Sequence, residues 1–252
     1  NIPDNLHVEG PIDWSNCNLF GLDLSNLQLS GANLSGSSLY AADISNTNLS
    51  GANLSGAQIY KANITNTNFK YANLSYANLC GAGYGPEVDL VLGVGIAALV
   101  FTGANLSHAD LDHSFLMNAD LTDASVTYTN FNDANLIRVD LSGKDLTGTI
   151  LTDNDLTEAN LTGVDLSGKD LTGAVLTGVN LSGFDLTGTI LTGANLTDAN
   201  LAGVNLTGKD LTGAVLTGVN LSGMDLTGNA LLGVDRTDYY HTTVTLTKQH
   251  EN

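Results

Sequence analysis

The sequence predicts an all-β fold, a four-sided β-helix capped at both ends. Three observations predict it. An apolar residue, usually leucine, recurs every fifth position: Leu19, Leu24, Leu29, Leu34, Leu39, Ile44, Leu49, Leu54, Ile59, Ile64, Phe69, Leu74 and Leu79, then Phe101, Leu106, Leu111, Leu116, Leu121 and onward to Leu231. Two positions before it stands a small residue, as in Ala32, Ala42, Ala52, Ala62 and Ala72. The position before it is Asn or Asp, and Ser or Thr and then Gly follow.

A period of five fits neither an α-helix nor a flat strand. It fits a chain that turns a corner every five residues. Each side then points its leucine and the preceding small residue inward, and the three polar positions form the outside and the corner. Four such sides close a coil of about twenty residues, and coils stack about 4.8 Å apart with backbone groups paired between neighbours. Small residues alternate with leucine because a narrow coil has no room for two large side chains per side. Gly and Asn suit the corner because they tolerate positive φ. A solenoid grows in one dimension, so 252 residues need no globular core here.

The pattern divides the chain. Residues 1–13 read as an N-terminal cap, since Ile12 and Trp14 already fall on the small-residue and leucine registers. Open solenoid ends expose core and strand edges, which caps cover. Residues 14–79 are a first repeat block, and 101–231 a second. Between Leu79 and Phe101 the register slips by two, so 80–100 is a register-breaking insertion. It is either a full coil with a two-residue bulge, placing Val91 and Ile96 inward, or an ejected loop or short helix. Residues 232–252, with Tyr239, Tyr240, Val244 and Leu246, read as a cap, a dimer contact or both. Within block two, LTGAVLTGVNLSG stands at both 171–183 and 211–223, a forty-residue duplication spanning two coils.

ANLSG at 32–36 and 52–56, ADLTD at 119–123 and ANLTD at 194–198 resemble the pentapeptide-repeat family, and the resemblance runs along nearly the whole chain. It implies a right-handed quadrilateral β-helix and almost nothing about chemistry. Some relatives are acidic mimics of DNA that bind a type II topoisomerase, and in others the C-terminal end dimerises.

Composition narrows the function. The formal net charge of −18 leaves no basic face for phosphate, so direct nucleic-acid binding is not expected. Such charge favours basic proteins or cations. The longest apolar run, Val88 to Phe101, is too short to span a bilayer as a helix and contains Asp89. The chain starts at Asn1 rather than Met, which leaves an exported or lumenal mature form open. Cys17, on the inward register, and Cys80, on the outward one, lie several coils apart and do not read as a disulfide.

Catalysis has little footing. His108 and His113 sit near Asp110 and Asp112 without metal-ligand spacing, and no phosphate loop or nucleotide fingerprint occurs. No cofactor is expected. Asp145, Asp165, Asp185 and Asp225 share one outer column, which would be a weak Ca²⁺ ladder or simply turn-capping side chains. Lys144, Lys169 and Lys209 fall on inward slots; burial without a partner is costly, so they should leave through a corner towards Asp145, Asp170 and Asp210.

The expected function is a non-enzymatic structural or protein-interaction role, with topoisomerase mimicry and regular-surface binding through Thr and Asp ladders as alternatives. Candidate contacts with a protein partner or a second copy are the apolar residues in unusual outer positions. They are Leu90, Leu92 and Val100 at the break, Ile150, Val175, Ile190 and Val215 on two tracks, and Tyr239 and Tyr240 at the end.

Overall fold

A computed structural model describes residues 12–80, 82, 99–219, 221, 224, 226, 228 and 229. They divide into two compact units, one within Asn1–Phe115 and Ala119–Thr129, the other within Leu116–Asn118 and Asn130–Asn252. Each unit is a stack of coils of a right-handed quadrilateral β-helix. Both arise from one pattern: on most sides the residue before the central leucine bridges in parallel to the residue twenty positions on, as in Asn33↔Asn53 and Asp155↔Val175.

The hydrogen bonding follows from the five-residue unit. Leu34 N–H donates to Asn53 C=O at 2.7 Å, and Asn53 N–H returns to Ala32 C=O at 2.9 Å. Within a turn, Ala57 N–H closes on Leu54 C=O at 3.0 Å. The corner residue, two after each centre, is left-handed. Gly143 has φ 61° and Gly163 φ 74°, and where Gly is absent Asn16, Asn46 and Asp153 adopt φ 56°. The outer Asn or Asp caps the turn, as when Asn53 Oδ1 accepts from Ser55 N–H at 3.2 Å.

Unit one stacks four inward columns. One holds Leu34, Leu54, Leu74, Leu106 and Val126, all buried; another holds Leu29, Leu49, Phe69, Phe101 and Leu121. Across the register break the partners stand 32 apart, as in Asn68↔Val100, Asn73↔Asn105 and Asn78↔Asp110. A full coil with a two-residue bulge would give an offset of 22. The observed offset is a coil of 20 plus 12, and the additional positions fall between Ala82 and Leu99. Ala82 still belongs to the wall, since its carbonyl accepts from Phe115 N–H at 3.1 Å, and Val100 already bridges on both sides. Val91 and Ile96 lie outside the described residues.

At the start, the wall is joined by Ile12, whose carbonyl accepts from Asn33 N–H at 2.8 Å. Cys17, on the inward register, is nevertheless exposed: among the described residues only one coil, bearing Ser37, covers it. Both cysteines are free.

Among the described residues of unit two, three sides carry bridges and one does not. The side centred on Leu146, Leu166, Leu186 and Leu206 has no bridge at Asp145, Asp165, Asp185 or Asn205, and the amides of Leu166 and Leu186 donate to no backbone carbonyl. Its inward small-residue slot holds Lys144, Val164, Phe184 and Val204. All four are bulky, whereas on a bridged side Val139 and Val179 alternate with Ala159 and Ala199.

The inward lysines do not reach Asp170 and Asp210. Lys169 Nζ donates to Leu146 C=O, and Lys209 Nζ to Leu186 C=O and, at 3.2 Å, to Thr189 C=O. Thr189, in the same column, makes the equivalent bond to Leu166 C=O at 2.7 Å. Both lysines are thereby held half-buried, and burial pushes the Lys209 pKa down.

Candidate functional site

Aromatic side chains gather at two corners of unit one, on either end of the same side. Phe20, Tyr40 and Tyr60 follow the centres Leu19, Leu39 and Ile59, and their rings stack with centroids 5.1 and 5.2 Å apart. Tyr76, His108 and Tyr128 occupy the preceding corner and stack at 4.7 Å in both steps, within 5° of parallel. Tyr71 projects from a third corner, over Gly103. Between the two stacks runs the polar column Asn18, Ser38, Gln58, Asn78 and Asp110.

These rings stand at a conformational cost. Tyr71, Tyr76, His108 and Tyr128 hold left-handed φ of 57–60°, where glycine is unstrained. Tyr71 and Tyr76 are 65% and 66% exposed, so burial does not repay them. Sequence reasoning missed the columns because the aromatics are far apart in the chain. Their signal is spacing: 20, and 32 across the break.

Beside this side, Cys80 Sγ lies 3.8 Å from Asp112 Oδ2, and His113 Nε2 lies 3.6 Å from the same oxygen. Partial burial pushes the Cys80 thiol pKa up, and the charges of Asp112 and Asp110 push it the same way. The thiol is therefore protonated at neutral pH and a poor nucleophile.

In unit two the expected apolar tracks prove to be alternating columns. Asp170, which bridges to Ile190, separates it from Ile150; the two isoleucines are 44% and 47% exposed. Val175 and Val215 are half-buried, with Asn195 bridging between them. Val100 is half-buried in the wall of unit one. Leu90, Leu92, Tyr239 and Tyr240 lie outside the described residues.

The carboxylates of Asp145, Asp165 and Asp185 each cap their own turn, accepting at 2.9, 2.9 and 2.8 Å from the amides of Thr147, Ser167 and Thr187. The hydroxyls of the same three residues and then these amides hold all three below the ordinary carboxylate pKa. Asp225 lies outside the described residues. Among the described residues, no three of His, Cys, Asp and Glu are grouped to hold a metal ion, and no helix is long and apolar enough to cross a membrane. The threonine ladder is partly spent: Thr157 and Thr172 turn their hydroxyls onto Asp155 and Asp170 at 2.6 Å.

Two clefts flank the unbridged side of unit two. One, of about 520 Å³, is lined by Phe184, Asp185, Ile190, Lys209 and Asp210 among others. The second, of about 590 Å³, includes Val164, Asp165, Phe184 and Asp185.

Comparison with known proteins gives one consistent family. The model described as pentapeptide repeats matches in eight copies, over residues 12–36, 37–70, 47–82, 100–136, 116–153, 129–168, 155–193 and 194–228. No curated protein sequence matches. Among solved structures, HetL of the cyanobacterium Nostoc sp. strain PCC 7120, a pentapeptide repeat protein involved in heterocyst differentiation regulation, is 26% identical, with 89% of this chain and 87% of that one covered and a TM-score of 0.26. QnrB1, a plasmid-mediated fluoroquinolone resistance protein, is 22% identical, with 81% and 89% covered and a TM-score of 0.32. A pentapeptide repeat protein of the Arabidopsis thaliana thylakoid lumen is 23% identical, with 54% and 70% covered and a TM-score of 0.21.

Proposed function

The chain belongs to the pentapeptide-repeat family, and from that premise we propose that it is a non-enzymatic scaffold for protein–protein interaction. One observation carries the reading. Tyr76, His108 and Tyr128 hold exposed left-handed corners, where glycine is unstrained and Asn or Asp is the commoner substitute, and their rings form one stack. Stacking on one another offsets part of that strain, but large rings kept at exposed left-handed corners point to use as well as to stability. Large aromatic side chains in a fixed array are what protein interfaces draw on. The regular wall beneath holds them rigid, so little ordering entropy remains to be lost on binding.

The test is a Tyr76→Gly, Tyr128→Gly double variant compared with the native chain by affinity capture and by light scattering over a concentration range. The variant should fold with equal or greater stability and lose the captured partner or the self-association. Identical capture and identical scattering would refute the assignment to these corners. A native chain that stays monomeric and captures nothing would refute the interaction role itself.

The acidic columns of unit two favour a second reading, mimicry of DNA towards a type II topoisomerase. Asp145, Asp165 and Asp185 present stacked charge on one side. A supercoiling assay decides it: no effect at micromolar protein removes this reading. Weak Ca²⁺ binding by the same column would appear as a calcium-dependent rise in melting temperature, and its absence at millimolar calcium removes that one.

A further inference from the structure

We propose that the groove over Phe184 docks an arginine-bearing segment of a basic partner protein. The inference deepens the interaction reading and rests on it, but it concerns a different unit and a different chemistry from the aromatic corners.

The groove exists because one side of unit two fails to ladder. The two clefts share Phe184 and Asp185, and together they run from Val164 and Asp165 to Ile190 and Asp210. Their apolar part is small: Phe184 stands half-buried in an inward slot, and Ile190, 44% exposed, lies on the neighbouring side. Their rim is acidic. Hydroxyl hydrogen bonds from Ser167, Thr187 and Thr212 keep Asp165, Asp185 and Asp210 ionised.

The lysine within the groove does not close it. Lys209 turns its ammonium onto the carbonyls of Leu186 and Thr189, so it offsets part of the charge of Asp185 without forming an ion pair with it among the described residues. Three carboxylates, Asp165, Asp185 and Asp210, therefore line clefts that also include Phe184, and the two nearby lysines, Lys169 and Lys209, turn inward onto backbone carbonyls.

This chemistry selects a guanidinium. Arginine is planar, stacks on an aromatic face, forks onto carboxylates and is weakly hydrated. A lysine ammonium matches the charge but neither the plane nor the fork. At longer range the net charge of −18 draws basic partners and repels acidic ones.

The full chain is titrated calorimetrically at physiological salt with two synthetic peptides of equal charge, Arg-Gly-Arg-Gly-Arg and its lysine counterpart. Two variants accompany it, Phe184→Val and Asp185→Asn. Neighbouring coils carry Val164 and Val204, and Asn205, in those two columns, so both substitutions suit the fold. The arginine peptide should bind about five- to tenfold more tightly than the lysine peptide. Phe184→Val should abolish that preference, and Asp185→Asn should weaken both peptides. Equal binding of the two peptides, or a preference unchanged in Phe184→Val, would overturn the proposal in favour of diffuse attraction to an acidic surface. If a protein partner is captured equally by native chain and Phe184→Val, the groove proposal fails while the interaction reading stands. If the arginine preference holds and depends on Phe184 but no protein is captured, the groove stands and that reading fails.

Discussion

Phe69 and Phe101, thirty-two positions apart, lie ring on ring with centroids 5.1 Å apart and planes within 1°. Both are fully buried in a column that Leu29, Leu49 and Leu121 otherwise fill. The coil therefore closes around the register break and resumes its own column beyond it. Replacing Phe101 with Ala should cost about 3–5 kcal/mol, whereas Phe101→Leu should cost under about 1.5 kcal/mol because leucine is the slot's usual occupant. A double-mutant cycle with Phe69→Leu should show a coupling of about 0.5–1.5 kcal/mol. Denaturant melts of the four proteins give all three numbers, and additivity would mean that the rings do not act as a pair.

Asn154 is fully buried, and neither its Oδ1 nor its Nδ2 has a hydrogen-bond partner. Neighbouring coils hold Ala174, Ala194 and Ala214 in the same inward column. Asn154→Ala should therefore stabilise the protein by about 1–3 kcal/mol, the cost of an unsatisfied buried amide. An unchanged or lowered denaturation midpoint would show that the amide is satisfied in solution.

The corners separate conformational strain from packing. A Cβ at Gly143 would meet nothing within 4 Å, yet its φ is 61°. Gly143→Ala should cost about 1–2 kcal/mol from the left-handed backbone alone. Ala41, at φ 52°, is the reverse case, and Ala41→Gly should recover part of that amount. If both substitutions shift stability in the same direction, corner strain is not the cause.

Acid should loosen unit two at a definable point. Asp145, Asp165, Asp185 and Asp210 have folded-state pKa values below the ordinary 3.8, through the hydroxyl and amide hydrogen bonds of their own turns. A group lowered on folding lends stability above its unfolded pKa, and that stability is lost as pH falls through the folded value. These carboxylates should thus leave the urea midpoint flat from neutrality to about pH 5 and lower it below about pH 4. Asp165→Asn keeps an oxygen for the turn, as Asn205 does at 2.9 Å, and should make the acid limb shallower. Parallel acid limbs for variant and native chain would remove this cause.

The repeat itself was legible because its five-residue period coincides with the geometry of a corner, and each central leucine from Leu19 to Leu226 among the described residues is buried. The offset across the break was not. Both a 22- and a 32-residue step place Phe101 on a leucine slot, and only pairing to Asn68 tells them apart. The lysines were legible as misfits, but not their partners, since a carbonyl such as that of Leu146 leaves no mark in sequence. The unbridged side escaped for a related reason. Val164 and Phe184 announce bulk, whereas the loss of a ladder depends on how neighbouring coils accommodate it.

The outer asparagines of unit one hold one more consequence. Asn105 Nδ2 donates to Asn73 Oδ1 at 3.4 Å, Asn73 to Asn53 and Asn53 to Asn33 at 3.3 Å each, and Asn33 to Asp13 Oδ1 at 3.1 Å. Every amide points its hydrogens towards the earlier coil, so their dipoles add head to tail and the positive end of the series meets the carboxylate of Asp13. The same order, an aspartate receiving from an asparagine twenty residues later, recurs at Asp43 with Asn63 and, in unit two, at Asp140 with Asn160, each at 3.0 Å. As at the terminus of an α-helix, a fixed anion sits where an aligned array is most electropositive. Each such stack is thereby electrically directional, with an inbuilt sense of up and down that its near-uniform side chains conceal.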